Sequence, residues 1–296
     1  MRVAIIDLGS NSARMNIVEI NGDKTEILQN HRKVVRLSEG MGDEKMLQPR
    51  AVERTLEVLK EFKNIIDECG VEHVRAVATA ALRTAVNKEL ITEPLKDIGI
   101  EFEIISGEKE AYYDYMAVVN TLDVKNCMII DIGGASTELI YVKDGINVNM
   151  LSLPMAAVNI TEKYFSGSTA SDDEFNTAVG IFTDMLGKHE WLGSIKGVDC
   201  VGLGGTIRGL AKIQCKGEDL HGYTMNRDFV FEKAFELIKT PLQKRILMDG
   251  IGKGRADIIL GGVVPLIAVM RYIDSPKLIT CVSGLREGVM YDIIKK

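Results

Sequence analysis

Met128-Ile129-Ile130-Asp131-Ile132-Gly133-Gly134-Ala135-Ser136-Thr137-Glu138 decides how the rest of this chain is read. Ile129, Ile130 and Ile132 mark a short buried strand. Gly133, Gly134 and Ala135 then make a turn with almost no side chain, so several backbone N–H groups can approach one phosphate closely. Asp131 enters the turn and Glu138 leaves it. Two carboxylates bracketing such a turn suit an oxyanion held together with a divalent cation, Mg²⁺ or another.

The unit recurs. Val3 to Ile6 is a strand, Asp7-Leu8-Gly9-Ser10-Asn11-Ser12 a turn, and Met15 to Ile20 a second apolar run. Val201-Gly202-Leu203-Gly204-Gly205-Thr206 is a third, partial version. One Asp-x-Gly turn says little, since Asp caps many turns. Two strand–Asp–Gly–Ser/Thr–strand units and a Gly-Gly-Thr loop together predict an α/β chain of two actin-like (ASKHA, ribonuclease H-like) domains. Such a fold clamps phosphate in an inter-domain cleft.

The surrounding pattern agrees. Strands are expected at 2–20 (a hairpin), 24–36, 74–78 and 102–105, with a turn at Asn21-Gly22-Asp23. Helices are expected at 50–68, at 80–85 behind Thr79 as a cap, and at 108–120 behind Ser106-Gly107. The apolar stripe of the first helix is Val52, Leu56, Leu59, Phe62, Ile65 and Ile66. The second half repeats the order, with strands at 127–132, 137–142, 146–153, 198–201 and 278–282. Its helices are expected at 155–164, 172–190, from 206, and at 286–294. Residues 214–256 read as a polar helical insertion, and Ile258 to Met270 as a buried helix with Pro265 near a tolerant start. Domain I is therefore 1–122, with 286–296 packing back onto it. Domain II is 123–285, and Thr121 to Asn126 is the expected hinge.

Composition bounds the function. The chain has 296 residues, a net charge of −6 and 46% hydrophobic residues. That is enough for two cores, and the acidic balance argues against a DNA-binding surface. The five cysteines are scattered and never spaced Cys-x-x-Cys, which predicts buried thiols and a cytoplasmic location. No membrane span is expected, because the apolar run from Ile258 falls short of the ~20 residues required. Met1 leads straight into a charged strand, so no leader is expected. A homodimer is left open.

The motifs resemble the exopolyphosphatase/guanosine pentaphosphate phosphohydrolase (Ppx/GppA) family along nearly the whole chain. Matching stretches are Asp7 to Ser12 with Arg14, Ala78-Thr79-Ala80-Ala81-Leu82-Arg83 with Asn87, Ser106-Gly107 leading to Glu110-Ala111, and Asp131 to Glu138. Gly204-Gly205-Thr206, His221-Gly222-Tyr223, Gly254-Arg255-Ala256-Asp257 and Ser283 to Gly288 follow in order. Two positions depart from the family pattern. Lys109 stands where a first Glu is common, and Ala135 where a third Gly is common. The resemblance implies a short form without the C-terminal HD-like domain. It also implies release of terminal phosphate from inorganic polyphosphate or guanosine pentaphosphate.

Site residues follow from the two readings together. Glu110 is the expected base that activates water, with Glu108 its rival. Asp131, Glu138 and Asp7 are the expected metal carboxylates. Gly9, Ser10, Asn11, Gly133, Gly134, Ala135, Ser136, Gly204, Gly205 and Thr206 are the expected phosphate donors. Arg14 and Arg83 are the expected guanidinium contacts, since arginine grips phosphate in a bidentate fork. Arg255 and Arg286 also match the family but are equally readable as structural partners of Asp257 and Glu287. Two rival functions share the fold: a non-hydrolytic (p)ppGpp or nucleotide-binding module, and an actin-like ATPase or sugar kinase.

Overall fold

The computed structural model of the chain describes residues 1–22 and 24–295. Asp23 of the expected turn lies outside the described residues, as does Lys296. The chain divides into two compact units. One holds Met1–Met116 and the chain from Leu285 onward; the other holds Ala117–Gly284.

Unit 1 opens with β1 (Arg2–Leu8), β2 (Ser12–Asn21) and β3 (Lys24–Val34). β3 stops two residues short of the expected end at Arg36, which adopts a left-handed conformation (φ 48°) instead. Then come α1 (Pro49–Glu68), β4 (His73–Ala78), α2 (Ala80–Thr84), α3 (Glu89–Lys96), β5 (Phe102–Ile104) and α4 (Gly107–Thr121). The sheet order is β3-β2-β1-β4-β5, with the first three antiparallel and β4 and β5 parallel to β1. Period-two alternation divides the strands between two cores. Ala4, Ile6, Leu8, Met15 and Ile17 face Leu59, Phe62 and Ile66 of α1. Val3, Ile5, Val18 and Val77 face the opposite side.

The buried stripe of α1 is Ala51, Thr55, Val58, Leu59, Phe62 and Ile66. The expected Val52, Leu56 and Ile65 lie on its half-buried flank. Thr55 can be buried because its hydroxyl donates to the Ala51 carbonyl at 2.7 Å. Thr79 does not cap α2 with its side chain. Its N–H instead donates to the Leu8 carbonyl, extending the β4–β1 ladder.

Unit 2 runs β6 (Cys127–Ile132), β7 (Thr137–Lys143), β8 (Ile146–Leu153), α5 (Ala157–Tyr164), α6 (Asp172–Gly187) and α7 (Glu190–Gly193). It continues through β9 (Asp199–Gly204), α8 (Gly205–Cys215), β10 (Thr224–Asn226), α9 (Arg227–Lys239), α10 (Leu242–Arg245), α11 (Ile259–Tyr272) and β11 (Lys277–Thr280). Read from β8, the sheet order is β8-β7-β6-β9-β11-β10. Its first five strands repeat the unit 1 order with the same parallel and antiparallel senses. The second strand of each unit even shifts register at an equivalent place, after Ile17 and after Tyr141. The fold is thus a duplicated, actin-like α/β architecture.

Two expectations change in unit 2. The stretch 214–256 is not a mere insertion: β10 joins the sheet, and Val230, Ala234, Leu237 and Ile238 of α9 enter the main core. Pro265 lies in the interior of α11 rather than at its start. A proline there forfeits one helical hydrogen bond, but α11 is buried from Ile259 to Met270, so packing holds it. Each fully buried Leu, Ile or Phe of such a core contributes about 1.5–3 kcal/mol. No described helix is long and apolar enough to cross a membrane. All five cysteines are free thiols. Burial pushes Cys127 and Cys200 up to about 12, leaving them inert.

The chain closes with α12 (Leu285–Ile294), which packs Leu285, Val289 and Met290 onto Val3, Ile5 and Tyr113 of unit 1.

Candidate active site

The two hairpin loops have one local geometry. Gly9 N–H donates to Ser12 O at 3.1 Å, and Gly133 N–H donates to Ser136 O at 3.1 Å. In unit 2 the carbonyls of this turn are taken up by the start of α5. Ala157 and Val158 N–H donate to Gly133 O and Gly134 O at 3.3 and 2.7 Å, and Asn159 Nδ2 donates to Ala135 O at 3.0 Å. The N–H groups of Gly134, Ala135 and Ser136 find no acceptor among the described residues. A turn whose oxygens are occupied and whose N–H groups are unused is an anion cradle. In unit 1, Ser10 O accepts from Ser38 N–H at 3.0 Å, and Asn11 O accepts from Val35 and Arg36 N–H, both at 3.0 Å. Asn11 Nδ2 and Ser12 Oγ are buried with no hydrogen-bond partner among the described residues. Buried donors of this kind are costly unless a ligand or water meets them.

Glu110 sits in the first turns of α4. Ser106 starts that helix, its Oγ accepting from Lys109 N–H at 3.1 Å. Glu110 is 7% exposed, whereas Glu108 is exposed. Arg83 Nη1 donates to Glu110 Oε2 at 3.0 Å and to Ile105 O at 3.0 Å. The guanidinium therefore fixes the carboxylate against the strand end. Lys109 is turned away from this face and pairs with Glu103, which also binds Arg75. Burial would raise the Glu103 carboxyl, but those two cations hold it below its usual value. Asp114, one turn beyond Glu110 on the same helix face, is fully buried. Its spacing of four from Glu110 was visible in the sequence, but nothing marked it as buried.

Asp131 and Glu138 are direct partners across β6 and β7, so both side chains leave the same face of the sheet. Glu138 is fully buried, and its Oε1 accepts from Ser152 Oγ at 2.7 Å. Two facing carboxylates disfavour joint ionisation unless a cation lies between them. Hard oxygen ligands of this kind suit Mg²⁺ or a similar ion, so the residues fit the metal.

The Gly-Gly-Thr loop joins β9 to α8 beside them. Gly204 has φ 92°, and a Cβ there would lie 2.5 Å from Ile132 O and 3.0 Å from Asp131 Oδ1. Only glycine serves. A Cβ on Gly205 would lie 2.0 Å from Arg255 Cζ. Arg255 thus lays its guanidinium directly over the N-terminus of α8, where helix N–H groups also attract anions. Thr206 is fully buried, with its hydroxyl against Gly262 of α11. That hydroxyl has no hydrogen-bond partner among the described residues.

Gly205→Ala is consequently expected to fold normally but to displace Arg255, weakening substrate binding roughly 10-fold or more, the scale of one charge-assisted hydrogen bond. KM for Gly205→Ala, Arg255→Ala and the double variant checks this. The double variant should be no worse than Arg255→Ala alone. Independent, multiplying losses would show that the glycine serves something else.

In unit 1, Asp7 on β1 faces Arg14 on β2, which faces Arg32 on β3. Burial raises the Asp7 pKa, outweighing the lowering by Arg14 and Arg286. Arg32 is exposed as a residue, yet partial desolvation of its guanidinium, then the charges of Arg14 and Arg286, lower its pKa. Arg286 is lowered mainly by burial. Arg255, Arg32 and Arg286 were not assigned ligand roles from sequence. Their setting depends on close packing and strand register, which motif reading does not reveal. His221, for which the sequence offered no role, is structural. Its Nε2 lies 2.8 Å from Thr121 O, and its Nδ1 accepts from Val282 N–H at 3.4 Å.

The model of the Ppx/GppA phosphatase family matches residues 16–296. A guanosine-5'-triphosphate,3'-diphosphate pyrophosphatase of Pseudoalteromonas atlantica is 28% identical over 301 residues, covering 99% of this chain. The chain spans 58% of that relative's length. The solved structure of the Aquifex aeolicus Ppx/GppA family member is 32% identical with a TM-score of 0.83, covering 100% of this chain and 98% of that one. An exopolyphosphatase of Cytophaga hutchinsonii shares the fold at a TM-score of 0.93 and 23% identity, covering 100% and 98% of the two chains.

Proposed function

Because the chain belongs to the Ppx/GppA phosphatase family, we propose that it hydrolyses phosphoanhydride bonds. The substrate is inorganic polyphosphate, guanosine pentaphosphate (pppGpp to ppGpp), or both, and the product is the terminal phosphate. The observation that carries this reading is Glu110: a buried carboxylate, started by a capped helix and clamped by Arg83. A carboxylate held in this way is suited to take a proton from water, a step that a module which only binds nucleotide does not perform.

Phosphoryl transfer is mostly positioning and charge stabilisation. Glu110 accepts the proton of the attacking water. Arg83 holds Glu110 in place by Nη1, and its Nε and Nη2 remain as donors for phosphate oxygens. The N–H groups of Ser10 and Asn11 and of Gly134, Ala135 and Ser136, in turns that Gly9 and Gly133 close, together with Arg14, Gly204, Gly205 and Thr206, hold phosphate oxygens. Mg²⁺ bound by Asp131 and Glu138 would neutralise charge that builds on the phosphoryl oxygens. In unit 1, Asp7 is the carboxylate assigned the same function.

Phosphate release from long-chain polyphosphate, short-chain polyphosphate, pppGpp and ATP, measured side by side with Mg²⁺ or excess EDTA, tests the proposal. The expected result is release from at least one of the first three, lost in EDTA and restored by Mg²⁺. Full activity in EDTA would remove the metal role. Tight binding of pppGpp with no release from any substrate would replace the hydrolase by a binding module.

A further inference from the structure

One face of the unit 1 sheet carries more positive charge than the proposed chemistry has used. Asp7, Arg14 and Arg32 are direct partners across β1, β2 and β3, so all three side chains leave the same face. The next row on that face is Ile5, Asn16 and Asn30. The first turn of α12 is fastened onto it. Arg286 Nη1 donates to Asn16 Oδ1 at 2.6 Å and to Asn30 Oδ1 at 3.5 Å, while Asn16 Nδ2 donates to Glu287 Oε1 at 2.9 Å. Arg286 is 8% exposed. Held by two asparagines, it cannot swing away from its neighbours.

The group therefore sets three guanidiniums, on Arg14, Arg32 and Arg286, against two carboxylates, on Asp7 and Glu287. Arg14 and Arg32 have neither a hydrogen-bond nor an ion-pair partner among the described residues. Arginines that merely guard an edge strand are free to spread into water. Here the buried Arg286 fixes one charge in place, and the strand register anchors the other two on the same face. A cluster of like charges with a surplus of one is stabilised by an anion, and guanidiniums match phosphate oxygens in a bidentate fork.

Position says which phosphate. Arg32 lies two strand spacings from Asp7, roughly 10 Å. On this row an extended chain of phosphates running outward from the Gly9–Ser12 turn meets Arg14 first and Arg32 next. We infer that Arg32 and Arg286, together with Arg14, form a distal phosphate subsite that grips a phosphate other than the one released. This rests on the hydrolase reading for its substrate class, a linear chain of phosphates. Its physical content is simply that the row binds extended phosphate better than single phosphate.

The test is calorimetric binding of inorganic phosphate, tripolyphosphate and pppGpp to the Glu110→Gln protein, with and without Arg32→Gln or Arg32→Lys. Arg32 is exposed on an edge strand, so its replacement leaves the fold intact. Arg32→Gln should weaken tripolyphosphate about 10-fold, one charge-assisted contact, and leave inorganic phosphate unchanged. Arg32→Lys should recover part of the loss. If pppGpp alone is weakened, the subsite takes the phosphates of the nucleotide; if tripolyphosphate is weakened too, it takes any phosphate chain. Equal tripolyphosphate affinity with and without Arg32→Gln, with pppGpp also unmoved, overturns the inference. So does an equal loss for inorganic phosphate, which would mean a general field rather than a subsite. Phosphate release by the unaltered protein is scored separately. Its absence, with chain-length-dependent binding retained, would sink the hydrolase reading and leave this one standing.

Discussion

Glu110→Gln should leave phosphate-chain binding nearly intact and slow single-turnover phosphate release by roughly 10²–10⁴, the usual contribution of a positioned acid–base group. The geometry makes this substitution a clean one. Arg83 Nη1 donates to Glu110 Oε2 at 3.0 Å, and an amide oxygen can accept the same bond. Arg83 stays anchored in any case by the Ile105 carbonyl at 3.0 Å. Size, cap and helix are unchanged; only the base is lost. Glu108→Gln is the control, because Glu108 is exposed and points about 200° away around the helix at 100° per residue. Lys109 cannot substitute, being a cation engaged with Glu103. Quenched-flow phosphate release of both variants, with helicity checked by circular dichroism, decides the matter. Loss of turnover in Glu108→Gln but not in Glu110→Gln would move the base by two residues. Full turnover in both would require a base elsewhere.

The parts of this molecule written in local sequence were readable. The hairpin strands, the Asp–Gly turns and the succession of strands along the chain, β10 excepted, follow from alternation and turn residues, which act over a few positions. What depends on distant partners was not readable. Helix α3 carries Pro94 in its interior, which disguises its period. The inward face of α9 is masked because Phe229, Phe231 and Phe235 flank it, so apolar residues surround the helix. In the site, the residue types were legible while their pairings were not. Arg83 reads equally as a solvated residue or a phosphate ligand until Glu110, far along the chain, is seen against it. The Asp7–Arg14–Arg32 row needs the strand register, and Arg286 reaches Asn16 only once α12 has packed back onto β1 and β2. Asn87, which matches a family motif, turns out to brace the backbone of Leu47 from both sides.

The second large effect is expected at a residue with no chemical role. Arg245 is 1% exposed, the largest of the fully buried side chains. Its Nε donates to Ala256 O at 2.8 Å, and its Nη1 to Ser168 O at 2.8 Å, Thr240 O at 2.7 Å and, more weakly, Leu237 O at 3.4 Å. Burial lowers its pKa from a very high starting value, and Asp257 opposes the shift; the group remains a cation. One side chain thus ties together carbonyls from three separate stretches: Ser168, the end of α9 at Leu237 and Thr240, and Ala256. Arg245→Met fills similar volume but supplies no donor, so the buried Ala256 carbonyl loses this partner, while those of Ser168 and Thr240 are only part-buried and can turn to water. A buried orphan costs about 1–3 kcal/mol, and the part-buried carbonyls add less. The chain has a single tryptophan, Trp191 on α7, packed against the unit 2 core, so its fluorescence in urea follows this unit selectively. The midpoint should fall in Arg245→Met, with Arg245→Lys between the two because an ammonium keeps some of the bonds. Activity should suffer as well below the new midpoint. Ala256, whose carbonyl Arg245 holds, follows Arg255, the guanidinium laid over the Gly205 loop, and loosening one loosens the other. An unchanged midpoint in Arg245→Met would mean that the freed carbonyls find water or rearrange, and that the arginine is not what ties these stretches together.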